Sequence, residues 1–244
     1  NLILERVKTG IILFYKNKSA VKVQNLNKYI NVFVDNGFIK IKDYHQEINV
    51  IKVEHIPITH GGLLDCNIDN ALAAVCALYA LKVPTQSIAE GLISFANNPG
   101  RFQMFDMNGY KIMLDYAHNE AGYEEVVKLC KKLNYNRIIG VIGMPGDRPD
   151  TSIKAVGGLA GKSFDRIYIK EDIDLRNRQK NEVANLLYDS IVRSSGDTQK
   201  VKITDNEVNA LKEAMQFAKK DDLIVVMYEK IEPLIDVIKK EMGC

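Results

Sequence analysis

The sequence has no tryptophan, only six prolines in 244 residues, and no surplus of one charge. Its 33 Lys and Arg stand against 31 Asp and Glu, for a formal charge of +2. A nucleic-acid-binding module carries a strongly basic face, and this balance argues against one. The four cysteines, Cys66, Cys76, Cys130 and Cys244, show no CxxC spacing. That argues against both a disulfide framework and a zinc site. Cys76 and Cys130 fall in helical apolar patterns, so buried thiols in a reducing, cytoplasmic setting are expected. No apolar run reaches the roughly 18–20 residues that a membrane helix needs, and no charged-then-apolar leader opens the chain. The first residues are Asn-Leu-Ile-Leu rather than Met, which reads as a piece of something longer.

What is present is an ordinary globular composition, 46% hydrophobic and 26% charged, long enough for one large domain or two smaller ones. The first part reads as β-rich. GIILFYKNKSAVKV and INVFVDNGFIKIKD each place turn-forming residues between two alternating apolar runs, and Asn36-Gly37 is a type I′ hairpin signal. DNALAAVCALYALKV, preceded by polar Asp65-Cys66-Asn67, reads as an Ala-rich helix that packs on a sheet. TQSIAEGLISFA reads as a second helix, with Thr85 or Ser87 as its N-cap.

NNPGRF, residues 97–102, combines residues that break both helix and strand, and it is the best domain boundary. The expected domains are therefore 1–98 and 99–244. FQMFDMNGYKIMLDY then reads as a hairpin around Asn108-Gly109 leading into a central strand. Helices at 120–133, 151–162, 181–193, 206–219 and 231–242 alternate with strands RIIGVIG, RIYIK, QKVKIT and LIVVMY. This alternation predicts an α/β fold, a Rossmann-like, mostly parallel, doubly wound sheet preceded by a β-rich and helical partial domain. Such sheets bind ligands beyond the carboxyl ends of their strands, which singles out loops 115–119, 143–150, 170–178 and 228–230.

Each of those loops is polar where its strand ends. Asp115 closes its strand with His118 and Asn119 at the start of the next helix. Its two oxygens suit vicinal sugar hydroxyls, although Asp115 or Asn119 could equally serve as a helix cap. Asp147 and Arg148 put opposite charges in one Gly-Pro turn, which suits either a ligand or a local ion pair. Lys170, Glu171, Asp172, Arg176 and Arg178 form a charged run on the same sheet edge. AVGGLAGKS, residues 155–163, imitates a phosphate-binding loop, but the motif's first glycine position is Val156 and the stretch sits inside a predicted helix. The motif is therefore rejected, and Gly157, Gly158 and Gly161 are read as allowing close helix–sheet packing. His45, His55 and His60 are scattered and read as surface or structural residues. No nucleophile-elbow GxSxG occurs, and neither a catalytic residue nor a metal ligand is assigned.

CNIDNALAA, SFANNPGRFQ, DYAHNEAG, GMPGDRPD and KEDIDLRNR, in that order, resemble the Mur ligase superfamily, and within it the cyanophycin-synthetase branch. The resemblance covers roughly residues 60–242. It implies a central ATP-binding domain followed by a Rossmann-like carboxy-terminal domain, with ATP and Mg2+ as cofactors. The implied chemistry is an acyl phosphate formed on a carboxylate substrate and displaced by an amine. For the cyanophycin branch, arginine is joined to aspartate side-chain carboxylates of a peptide polymer.

By position, the resemblance implies that Asn67 and Asn70 face adenine and that Arg101 contacts ribose or phosphate. Asp115 would take the ribose hydroxyls, with His118 and Asn119 lining the cleft. Asp147, Arg148, Glu171 and Arg176 are implied for the incoming amino acid. Three positions depart from the pattern: Glu120 stands where proline is usual, Asn177 where glycine is common, and Cys66 where histidine is frequent. The P-loop, the magnesium ligands upstream of it and an ATP-grasp half are absent from the sequence, so they are expected as upstream partner regions of a parent chain and this piece alone is expected to be inactive. The rival readings are a peptidoglycan or folate ligase fragment and a non-catalytic nucleotide- or partner-binding module. Neither a nucleic acid nor a membrane is expected as a partner.

Overall fold

The computed structural model describes residues 10–17, 26–44, 46–96 and 98–243. The chain divides into two compact units, Asn1–Asn97 and Asn98–Cys244.

In the first unit, β1 (Ile12–Tyr15), β2 (Ile30–Asp35), β3 (Phe38–Lys42) and β4 (Glu47–Lys52) form a sheet in that order. The β2–β3 hairpin closes through Asn36 and Gly37 at φ +50° and +76°, the left-handed pair that a type I′ turn requires. β1 pairs in parallel with β2. The second arm of the hairpin expected in GIILFYKNKSAVKV lies outside the described residues, as does His45.

Among the described residues this unit also holds two α-helices, α1 (Asp65–Ala80) and α2 (Thr85–Ser94). Helix α1 begins earlier than its apolar pattern suggests, because Asp65, Cys66 and Asn67 form its first turn. Pro84, rather than Thr85 or Ser87, occupies the N-cap of α2, and no side chain caps it. Alternating residues Val32, Ile39, Ile41 and Ile51 meet Ile68, Leu72, Val75 and Ile88 in one core.

The second unit holds β5 (Gln103–Asp106), β6 (Lys111–Asp115), β7 (Ile138–Ile142), β8 (Arg166–Ile169), β9 (Val201–Ile203) and β10 (Leu223–Met227). They are ordered β5-β6-β10-β7-β8-β9. Only β5 runs antiparallel, joined to β6 through a turn with Gly109 at φ +96°. The five parallel strands are connected by α3 (Glu120–Lys132), α4 (Asp150–Ser163), α5 (Glu182–Ser195) and α6 (Glu207–Phe217), and α7 (Ile231–Met242) follows β10.

The chain moves outward from β6 through β7 and β8 to β9, then returns to insert β10 between β6 and β7. Right-handed crossovers put helices of opposite travel on opposite faces. The face built by Ile112, Leu114, Ile139, Val141, Ile224 and Val226 accordingly buries α6 and α7. Strand β10 is buried at every residue, as expected for the centre of a sheet covered on both sides.

Helices α4 and α5 approach each other closely along Gly157 and Gly161. A Cβ at Gly157 would lie 2.9 Å from the Leu187 carbonyl oxygen, and one at Gly161 would lie 2.8 Å from that of Ile191. These glycines serve helix–helix contact rather than the helix–sheet contact expected from sequence, and Gly158 faces open space. Gly161→Ala should therefore destabilise the chain by about 1–3 kcal/mol through overpacking. Gly158→Ala should stabilise it by about 0.5–1 kcal/mol through helix propensity. Urea denaturation of both variants checks the pair, and equal effects would contradict this packing.

Candidate functional site

Strand β6 ends on Asp115, which is 2% exposed. Its Oδ2 accepts the Phe102 backbone N–H at 2.9 Å, and the Ala117 N–H is a second donor to the carboxylate. Burial pushes the carboxyl up to about 6, against the lowering influence of these two N–H groups, Arg101 and His118. Loss of water outweighs the hydrogen bonds here, because neutral protein surroundings disfavour the charged form.

The segment that supplies Phe102 is held on several sides. Arg101 N–H closes a turn onto the Asn98 carbonyl at 2.9 Å, with Pro99 at its second position and Gly100 at φ +73° at its third, the chemistry of a type II turn. The Tyr228 hydroxyl donates to the Gly100 carbonyl at 3.1 Å. A Cβ on Gly100 would lie 2.0 Å from that hydroxyl, so no other residue fits. Phe102 takes φ +46°, a conformation that costs on the order of 1 kcal/mol for a bulky residue. Its burial and the bond to Asp115 hold it there.

Over this edge the Arg101 guanidinium stacks 5.2 Å from the Tyr116 ring centre. Tyr116 in turn touches His118 and Tyr228, at 5.2 and 5.4 Å between ring centres. The His118 Nδ1 lies 3.0 Å from the Tyr116 carbonyl, which can only accept, so Nδ1 carries a proton. Asn119 caps α3, its side-chain oxygen accepting the Gly122 N–H at 2.9 Å. Glu120 occupies the first helical position of α3. Proline suits that position because it needs no N–H there, and a carboxylate suits it through the helix dipole.

The next two loops form a second cluster. Arg176 donates to Asp147 at 2.6 Å and holds the Asp147 carboxyl below the usual carboxylate range. Arg178 ties the loops together: it donates to the carbonyls of Gly146 at 3.0 Å and Arg148 at 2.9 Å, and it pairs with Glu182 and Asp150, each at 2.7 Å. Glu171 accepts the Asn181 N–H at 2.5 Å. Arg176 and Asn177 take φ +47° and +69°. Asparagine tolerates that region better than most residues.

The two clusters share the carboxyl edge of one sheet, and the Tyr228 N–H ties the end of β10 to the Asp115 carbonyl at 3.1 Å. Asn67 and Asn70 lie in the other unit, on α1. Asn67 donates to the Ile58 carbonyl at 2.7 Å, and Asn70 donates to the Asn67 oxygen at 3.2 Å. Asn70 and Ser87 also border a groove of about 540 Å³ whose other lining, including Ile58, Ala74, Leu78 and Phe95, is apolar. Among the described residues, no group of three or more His, Cys, Asp or Glu side chains is placed to hold a metal ion, and no helix is long and apolar enough to cross a membrane.

Sequence reasoning missed Tyr116, Tyr228, Tyr123 and Glu207, and it gave Lys170 and Arg178 no role. The Tyr123 hydroxyl, fully buried, donates to the Gly143 carbonyl at 2.6 Å and is pushed far above its ordinary pKa by burial. Lys170, 3% exposed, pairs with Asp172 and with Glu207. A charged residue directly after the apolar strand was the available signal for Lys170.

A doubly wound parallel sheet whose carboxyl edge carries a buried aspartate, a stacked arginine and two braced polar loops defines an α/β domain of the ligand-binding kind. Residues 100–227 match the family model described as "Mur ligase, glutamate ligase domain". The chain belongs to this ligase family. It is 33% identical to a cyanophycin synthetase of Crocosphaera subtropica over 97% of this chain and 28% of that protein. It is 31% identical to a UDP-N-acetylmuramoyl-L-alanyl-D-glutamate–2,6-diaminopimelate ligase of Clostridium acetobutylicum over 71% of this chain and 35% of that one. The chain thus spans about a quarter to a third of the length of these curated relatives. Its fold is similar to that of Escherichia coli FolC solved with ADP, at TM-score 0.62 and 22% identity over 88% of this chain and 47% of that one. It is also similar to Thermotoga maritima MurF with ADP, at TM-score 0.57 and 14% identity over 97% and 55%.

Asp115 has its pKa raised on folding, so its protonated form favours the folded state. That stability is fully present below the unfolded value of 3.8 and is lost as pH rises through about 6. The ionised group should cost on the order of 3 kcal/mol at pH 8. Asp115→Asn should consequently raise the melting temperature at pH 8 and remove most of the fall between pH 4 and pH 7. A variant that is less stable than wild type at pH 8 would contradict this burial cost.

Proposed function

We propose that this chain is part of an ATP-dependent amide-forming ligase of the cyanophycin-synthetase type, working in the cytoplasm. Residues 1–98 would be the remainder of the central ATP-binding domain and residues 99–244 its carboxy-terminal domain. The observation that carries this reading is the adjacency of Arg101 and Asp115 at the carboxyl edge of the sheet, reinforced by cyanophycin synthetases that align along almost the whole chain.

A carboxylate has about four lone-pair sites, and Asp115 gives up two of them to backbone N–H groups. The remaining two suit vicinal ribose hydroxyls. Arg101, already oriented by stacking on Tyr116, reaches the ribose or a phosphate. His118 offers Nε2 to the nucleotide side of the cleft, and Asn119, its oxygen engaged as a cap, offers its NH2. Asn67 and Asn70, which lie in the first unit, are assigned to adenine on the resemblance to the ligase family.

On the amine side, Asp147 and Glu171 present carboxylates to a cationic amino acid, while Arg148 and Arg176 suit the substrate's own carboxylate. ATP supplies the phosphoryl group: a substrate carboxylate oxygen bonds to the γ-phosphorus and ADP leaves. The amine of arginine then displaces phosphate from the acyl carbon and gives up a proton as the amide forms. Phosphoryl transfer depends on positioning and charge around the β- and γ-phosphates, and the sequence contains no P-loop. Magnesium and the phosphate cradle are therefore assigned to the upstream regions of the longer enzyme. The diaminopimelate ligase relative keeps a different amino acid as the second reading.

In the longer enzyme, ATP-dependent phosphate release should require arginine. Glutamate or diaminopimelate supporting release in its place would shift the assignment to the second reading. Asp115→Ala in that enzyme should lower kcat/KM for ATP by about 10- to 100-fold, the worth of hydrogen bonds to a charged group, with the fold retained. An unchanged value would reject the role given to Asp115. The 244-residue chain alone should release no phosphate and should bind ATP with magnesium only weakly by calorimetry. Sub-micromolar affinity would contradict the assignment of the phosphate cradle to other regions.

A further inference from the structure

Lys170 directly follows β8 with its side chain 3% exposed. A lysine that deep must be paired, because an isolated buried ammonium is too costly. Its ammonium bonds directly to Asp172 in the loop after β8 and lies 3.6 Å from Glu207. Glu207, itself 7% exposed, opens α6 and accepts two backbone N–H groups from the loop after β10, Glu229 at 2.8 Å and Lys230 at 3.0 Å. The Glu229 carboxylate returns to the first loop, accepting the Ile173 N–H at 2.8 Å. The contacts close a ring from Lys170 through Glu207 and Glu229 to Ile173 and back along the chain to Asp172. The loop after β7 is shaped around the same lysine, since a Cβ on Gly143 would sit 2.6 Å from the Lys170 Cε.

Without the lysine, the buried Glu207 and the partly buried Asp172 would lose the cation they share. Removal of one partner from such a group is strongly destabilising to its local arrangement. The loop after β8 carries Glu171 and Arg176, and the loop after β10 begins beside Tyr228, which touches Gly100 and Tyr116. We propose that Lys170 is a positioning residue that locks the loops after β8 and β10 into one unit, so that the amine-receiving and nucleotide-facing parts of the rim are set together. The functional half of this statement rests on the ligase reading, and the structural half does not.

Residue-resolved hydrogen exchange on this chain tests the lock without any substrate. Lys170→Met should speed exchange of the Ile173, Glu229 and Lys230 amides together, by about ten-fold or more, with the amides inside β7 and β10 keeping their protection. Glu207→Gln, which keeps size and one acceptor, should also loosen Ile173, although Glu207 does not touch it. If that variant loosens only Glu229 and Lys230, or if the loops change only in step with the strands, the lock is refuted. Should Lys170→Met fail to fold, Glu207→Gln decides alone. In the longer enzyme, Lys170→Met should raise KM for ATP and for the amine together, each by about ten-fold, and Lys170→Arg should restore part of both. A fall in kcat with both KM values unchanged would mark a merely structural lysine and overturn the positioning role. An absence of arginine-dependent phosphate release in the unsubstituted enzyme counts against the ligase reading alone, because the exchange experiment still reads the lock.

Discussion

Asp115 sits where the sheet's second strand runs out, nearly shut off from water, and much of the surrounding structure exists to hold it there. Loss of solvent favours the protonated acid, whereas two backbone N–H groups, Arg101 and His118 favour the anion. The outcome is a carboxyl pushed above the usual carboxylate range, to about 6. Holding it requires Phe102 in left-handed backbone and a glycine at position 100, where the Tyr228 hydroxyl leaves no room for a side chain. Strain and burial cost gathered around one polar group are what a binding site tolerates and a purely structural strand end avoids.

The rest of the rim is built for rigidity by unequal means. The exposed Arg176–Asp147 pair is screened by water and contributes little to stability. Arg178 is different, because its planar fork reaches two backbone carbonyls and two carboxylates at once, and lysine cannot reproduce that geometry. Lys170 is buried and draws two carboxylates inward. Polar groups on four loops therefore become one surface, with Tyr228 as the member common to the aspartate end and the braced end.

Much of this was legible in the residues. Asn36-Gly37 specified its hairpin because few other dipeptides accept two left-handed conformations. The strand–helix alternation after residue 103 specified the parallel sheet, and the polar endings of its strands fall together on one edge of it. The five matched strings named the family. What escaped depends on partners distant in sequence: Glu207 is 37 residues from Lys170, and Arg178 binds carbonyl oxygens that carry no side-chain identity. Helix α1 starts before its apolar pattern does, because its polar first turn looks the same as a loop in sequence. Gly157 and Gly161 were read as packing residues, but whether they faced a sheet or a helix depended on the position of α5, which periodicity does not reveal.

The central claim is that the edge formed by Arg101, Asp115 and Tyr228 is a nucleotide-facing surface even within this chain. An amide-resolved magnetic-resonance titration of the chain with ADP at millimolar concentration tests it most directly. The account predicts saturable shifts concentrated at Arg101, Phe102, Tyr116 to Asn119 and Tyr228, and their loss in Asp115→Asn. Shifts spread elsewhere, or none at these residues at saturating nucleotide, would contradict it.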